Sequence, residues 1–180
     1  MRRLLLAVLA VATLAAAPGA ALASGDGNGN HDTYAWFVGI PPSFGLPFPS
    51  TAMAAGKSGT VTMSGTGTLK AGPDNFANGG GTYSLVDTQG KPVGSAGTWS
   101  VTDLIEYTNN PYGCIGVICG GEAKLRVVLV GGPLAGEDGV LTIMCLVGQS
   151  PGGKDEGITL ILGDGTNFPQ PEEGATVFIK

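Results

Sequence analysis

The chain has 180 residues, 32 of them glycine, a formal charge of −5 and a single histidine, His31. So acidic a chain repels phosphate backbones and anionic membrane surfaces, which argues against nucleic-acid binding and polybasic lipid contacts. One histidine excludes Ser-His-Asp triads and multi-histidine metal sites, so acid or base work would fall to carboxylates, tyrosines or Arg126.

The N-terminus reads as a secretory signal peptide over residues 1–23. Met1, Arg2 and Arg3 are its basic start, Leu4 to Ala17 its apolar run and Ala21-Leu22-Ala23 its cleavage site. The run is too short to span a bilayer comfortably, so the expectation is a secreted or periplasmic protein without membrane insertion. Cleavage removes Arg2 and Arg3 and moves the formal charge from −5 to −7. What remains has the length of one domain with a real core.

Residues 24–58 read as a flexible N-terminal segment followed by a Pro-rich loop. Asp26, Asn28 and Asn30 imitate a calcium loop, but His31 stands where glycine is needed and Phe37 where a bidentate Glu is needed. Thr33 to Val38 is compatible with a first strand. Pro41 to Pro49 must be extended loop, because its prolines cannot serve a central ladder. Ala54 to Ser58 (AAGKS) ends like a phosphate loop, yet Thr51 stands in place of the first glycine and no strand precedes it.

From Gly59 the period becomes two, and residues 59–180 read as the β domain. Val61, Met63 and Leu69 alternate with Thr60, Thr62, Ser64, Thr66 and Thr68, the mark of a strand with one buried face. Asp87-Thr88-Gln89-Gly90 suits a type I turn with a glycine bulge. If Asp87 pairs with Lys91, Leu85 faces Val93 and Tyr83 faces Ser95. Alternation then puts Tyr83, Leu85, Val93, Trp99, Val101, Ile105 and Tyr107 on one face, with Asp103 among them. A carboxylate there would be costly unless neutralised or hydrogen-bonded, which makes Asp103 a candidate site residue. The competing reading is that a bulge near Asp103 turns it to solvent.

Further strands follow at Gly121 to Val130, Gly139 to Val147, Gly157 to Gly163 and Gly174 to Lys180. Ala123, Leu125, Val127 and Leu129 share a face opposite Lys124 and Arg126, and the inward set of the next strand includes Cys145. The series fits an all-β, antiparallel closed barrel of about eight strands, or a sandwich. A hairpin centred near Leu134 would put Cys145 opposite about Leu125, too far from Cys119 to bridge. That leaves Cys114–Cys119 as the disulfide and Cys145 as a buried free thiol. Zinc would need four ligands where the chain offers three cysteines and one distant histidine, so no metal or other cofactor is expected. Gly148 to Gly152 (GQSPG) matches the nucleophile-elbow pattern, but no histidine follows Ser150.

The hairpin GTYSLVDTQGKPVGSAGTWSVTDL, then DGVLTIMCLVG, EGITLILGDGTNF and GATVFIK resembles the strand order of secreted allene oxide cyclase-like, dirigent-like β-barrel proteins. That resemblance implies an eight-stranded barrel whose lumen holds an apolar ligand; it carries over no catalytic residue. Three functions are compatible with the sequence. The leading one is noncatalytic binding of a small apolar or aromatic molecule by Tyr83, Trp99, Asp103 and Tyr107. The second is an isomerase or cyclase in which Asp103, or else Glu106, moves a proton. The third is an envelope or extracellular interaction protein with a filled core.

Overall fold

The computed structural model describes residues 32–45, 47–147 and 155–180, apart from the side chains of residues 109–112. The expected signal peptide, the Asp26 to His31 part of the calcium-like pattern and the G-x-S-x-G pattern lie outside the described residues. Within them the chain is all-β and antiparallel, with one short 3-10 turn at Pro42–Phe44 inside the proline-rich loop. The strands are β1 (Thr33–Val38), β2 (Ala52–Gly56), β3 (Gly59–Lys70), β4 (Phe76–Val86), β5 (Gly97–Ile115), β6 (Ile118–Val130), β7 (Asp138–Cys145), β8 (Gly157–Leu162), β9 (Asn167–Phe168), β10 (Gln170–Gly174) and β11 (Thr176–Ile179). More strands form than the eight expected. β2 was hidden because Ala and Gly are poor strand formers, and it pairs from Ala52 to Gly56 with β3. Among the described residues, β1, the first strand compatible with the sequence, and β2 both join the sheet through β3. The AAGKS segment is the end of β2 and a two-residue hairpin turn, with no helix after it to seat a phosphate.

Strand pairing runs from β3 to β6 by two routes, through β4 and β5 and through β1 and β11. The second route narrows to two residue pairs, Phe178 with Cys119 and Ile179 with Ile118. Beyond β6 the order continues β7, β8, β9, while β10 lies on β2. The inner faces bury one continuous core that includes Trp36, Met63, Leu125, Leu141, Ile143 and Phe178. The expected alternation on β3, β6 and β7 is present, with Cys145 on the inward side of β7.

Two registers differ from expectation. The Asp87 turn forms as read: Gly90 N–H donates to the Asp87 carbonyl at 3.0 Å, and Asp87 Oδ1 accepts from Gln89 and Lys91 N–H at 2.9 Å each. Val93 N–H then donates to the Leu85 carbonyl, but Tyr83 faces Gly97, not Ser95. The reason is space: a Cβ at residue 97 would stand 2.4 Å from Tyr83 Cε1, so only glycine fits opposite that ring. The second difference is in the β6–β7 hairpin. Cys145 faces Gly121 and Leu125 faces Leu141, a slip of four residues from the expected pairing. The turn closes over Gly131 to Glu137, with Leu129 N–H bonded to the Glu137 carbonyl at 2.8 Å.

Candidate functional site

Strand β5 decides which side chains enter the interior. Val101 faces Val127, but Asp103 faces Arg126 and Glu106 faces Lys124, so one extra residue enters β5 at Thr102 and another at Ile105. The first bulge flips the alternation and the second restores it. Asp103 is consequently exposed, Leu104 is buried at 3 % exposure, and Ile105, expected inside, is 41 % exposed. Tyr107 returns inward against Phe178, at 5.2 Å between ring centroids. The inward placement of Asp103 is thus corrected. Glu106 also points out, its carboxylate 2.7 Å from Lys124 Nζ. No carboxylate of β5 faces the interior.

The other candidates do enter, as parts of a row of aromatic rings. Trp99 stacks on Trp36 at 5.6 Å, and Tyr34 lies 4.8 Å from Tyr107. Tyr83 sits toward the Trp99 end, its hydroxyl donating to the Gly131 carbonyl and accepting from Leu134 N–H at 3.1 Å. Trp99 Nε1 donates to the Ser64 carbonyl at 3.1 Å. The structure therefore brings Trp99 and Tyr107 into one inner row, with Trp36 and Tyr34 between them, and leaves Asp103 outside. Trp36 and Tyr34 were missed because the first strand was read without a face. The signal available was their alternation in TYAWFV.

Glycines make room for these rings. A Cβ at residue 65 would stand 2.5 Å from Trp99 Cζ2, one at residue 67 would stand 2.4 Å from Trp36 Cζ2, and one at residue 121 would stand 2.9 Å from the Tyr107 hydroxyl. The indole Nε1 of Trp36 and the Tyr107 hydroxyl are buried without a partner that meets hydrogen-bond geometry. Burial first, and then the neighbouring Tyr34 phenol, push the Tyr107 phenol far above its ordinary range. Tyr34 itself donates to Asp32 Oδ2 at 3.2 Å, and Asp32 is paired with Lys180 Nζ at 2.8 Å.

Cys145 is free and buried near this end, its thiol pushed up to about 12 by burial and then by the Glu156 carboxylate. Glu156 is also raised, by burial, against the backbone donors Thr176 and Leu146. Such a thiol is almost wholly protonated at neutral pH and is a weak nucleophile there. Cys114 and Cys119 are directly paired across β5 and β6 and joined as a disulfide, Cα atoms 4.0 Å apart. A surface pocket of about 350 Å³ lies elsewhere, between the Lys57-Ser58 turn and Asp164 to Asn167. Asp164 is already engaged by Thr166 N–H at 2.7 Å and Thr166 Oγ1 at 3.0 Å. Among the described residues no cluster of His, Cys, Asp or Glu could hold a metal ion, and no helix is long and apolar enough to cross a membrane.

The outer face is polar over most of the sheet, with Ser64 and Thr82 hydroxyls 2.9 Å apart on β3 and β4. Phe76, Ile105, Val130 and Ile161 are exposed singly, and apolar side chains gather on the outside of β1, β11 and β6. There Phe37 lies opposite Val177 and Ile179 opposite Ile118, packed with Ile40 and Ala175 as a second apolar cluster. Phe44 meets Phe37 edge-on at 5.2 Å and is partly exposed, and Ile115 at the β5–β6 tip is 65 % exposed. Compared with protein-family models, with curated proteins and with solved structures, the chain matches none.

Proposed function

We propose that this chain is an exported, noncatalytic interaction protein with a filled interior, its sheet closed into a small barrel at the narrow β6–β11 seam. The observation that carries the reading is the run of apolar side chains outside that seam, half-buried at Phe37, Ile179 and Ile118 and exposed at its two ends, Phe44 and Ile115. Apolar side chains gathered at one seam, where elsewhere on the sheet they are exposed only singly, mark a surface for apolar recognition. Export rests on the signal-peptide pattern and on a disulfide of the kind that oxidising compartments preserve. The carboxylates that an isomerase or cyclase would need, Asp103 and Glu106, stand on the outer side of β5.

A second reading, binding of a small apolar or aromatic molecule within the barrel, is favoured by the buried, unpartnered Trp36 Nε1. A polar atom of a ligand, or a water, would satisfy that donor. The resemblance to allene oxide cyclase-like and dirigent-like barrels belongs to this second reading. A titration with 1-anilinonaphthalene-8-sulfonate separates the two. The pair Phe44→Asp and Ile115→Asp should weaken probe binding at least about tenfold while changing the unfolding temperature little, because both side chains are exposed. Binding that survives in this pair but disappears in Trp99→Phe would place recognition inside and overturn the outer-face reading.

A further inference from the structure

The corrected β6–β7 register brings the free thiol next to the disulfide. Cys145 faces Gly121, and Cys119 lies two residues further along the same inward-facing row of β6. Such diagonal neighbours have Cα atoms about 7–8 Å apart, against a usual upper limit of about 6.8 Å for a disulfide. The two side chains share a neighbour: the Cys145 sulfur reaches the backbone of Phe178, which is the cross-strand partner of Cys119. Cys119 is fully buried, whereas Cys114 is exposed at the β5–β6 tip beside Ile115.

We propose that Cys145 is a resolving thiol for the Cys114–Cys119 disulfide, and that exchange turns Cys114 into an exposed thiol available for modification. Cys145 gives its proton to solvent base, and its thiolate attacks Cys119 Sγ. The Cys119–Cys114 bond breaks as the Cys145–Cys119 bond forms, and Cys114 leaves as a thiolate that takes up a proton. One disulfide and one thiol stand on each side of the step, so no external oxidant or reductant enters. The exchange moves the staple from β5–β6 to β6–β7, frees the apolar tip that ends β5, and sets a nucleophilic sulfur on it. An exposed thiol there can form a mixed disulfide with a small-molecule disulfide or with a cysteine on a partner.

The high burial of Cys145 makes the step slow at neutral pH and steeply dependent on base. Below its pKa the thiolate fraction rises tenfold per pH unit, so the exchange rate should rise about 100-fold between pH 7.5 and pH 9.5. The experiment incubates the native protein with iodoacetamide at each pH, then maps peptides without reduction. The expected result is carbamidomethylated Cys114 together with a Cys119–Cys145 link, accumulating about 100-fold faster at pH 9.5. Alkylation of Cys145 with the Cys114–Cys119 link intact would overturn the proposal, and so would retention of one unlabelled Cys145 throughout. A second arm uses Cys114→Ser exposed to oxidised glutathione, a two-electron oxidant. Formation of a Cys119–Cys145 bond in the folded variant supports the proposal. Two thiols still titratable after denaturation, in a variant whose circular dichroism matches the parent, would count against it.

Discussion

The β3–β4 and β5–β6 pairs are both long antiparallel ladders, yet one is regular and the other is broken. β3 and β4 run from Thr60–Val86 to Lys70–Phe76 with no change of register. β5 and β6 shift register three times between Thr98–Val130 and Ile115–Ile118. Between its end pairs, Thr60 with Val86 and Lys70 with Phe76, the regular pair contains small neutral residues on its outer face and glycines beneath the indoles, so strict alternation places nothing at a disadvantage. The broken pair contains Asp103, Glu106, Glu122, Lys124 and Arg126. A bulge forgoes ladder hydrogen bonds worth about 1 kcal/mol each, whereas burying an unpaired carboxylate costs several kcal/mol. The bulge is the smaller cost, and Asp103 goes out. Thr102, the inserted residue, returns part of the loss by donating its hydroxyl to the Arg126 carbonyl at 3.3 Å.

The largest effect that bears on this contrast is loss of the indole that joins the two ladders. Trp99 of β5 lies over Gly65 of β3 and bonds the Ser64 carbonyl. Trp99→Ala should cost about 3–5 kcal/mol in chemical denaturation, the range for truncating a buried aromatic. A cost below 1 kcal/mol would mean that the two ladders do not share a packed core. Next comes Gly67→Ala. A Cβ there would meet the Asn78 carbonyl oxygen at 2.0 Å and Trp36 Cζ2 at 2.4 Å, with backbone on one side and a fully buried ring on the other. The loss should reach about 3 kcal/mol, the upper end for overpacking. The same substitution at Gly90, where nothing lies within 4 Å but φ is +77°, should cost only about 1 kcal/mol, through backbone strain alone.

A much smaller effect is expected at Asp103. Placed outward by the bulge, Asp103→Leu should leave stability within about 0.5 kcal/mol and leave tryptophan emission unchanged. A red shift of the emission would show that the strand had slipped back to strict alternation, with the new leucine drawn inside and the aromatic row disturbed.

How far the sequence was legible follows the same contrast. Period-two patterning, the Asp87 turn and the inward faces of β3, β6 and β7 were readable because nothing in those stretches opposes alternation. β2 was not readable, since an Ala and Gly strand gains its place from partners on β3 and β10 rather than from propensity. The candidate set of Tyr83, Trp99, Asp103 and Tyr107 was half a matter of counting: two bulges between Val101 and Tyr107 cancel, so both ends of the count were right and Asp103 between them was wrong. The cysteine pairing came out as Cys114–Cys119, but Cys145 does not lie far from Cys119: the hairpin is centred on Pro133, one residue from Leu134, and even a centre at Leu134 would have put Cys145 opposite Ala123 rather than Leu125. Turn closure is set by φ values near +64° and +69° at Gly131 and Gly132, which composition alone does not announce.

The smallest effect lies where β11 meets the end of β7. Glu156 as a residue is exposed, but its carboxyl is turned back to accept from Thr176 N–H at 3.3 Å, and burial raises its pKa. A raised carboxyl holds its proton more tightly in the folded protein than in the unfolded chain. Its contribution to stability is therefore present below the unfolded value of 4.5 and is lost as pH rises through the higher folded value. Glu156→Gln keeps an oxygen for Thr176 and removes the charge. The variant should match the parent in unfolding temperature near pH 4 and exceed it slightly at pH 7.5, where the parent carries a half-desolvated carboxylate beside Cys145. The same substitution removes the negative charge that opposes Cys145 ionisation, so the exchange should run faster and Cys114 should be alkylated sooner at pH 9.5. An unchanged difference in unfolding temperature between the two pH values would mean that solvent already screens the carboxyl, leaving burial alone to hold the Cys145 proton.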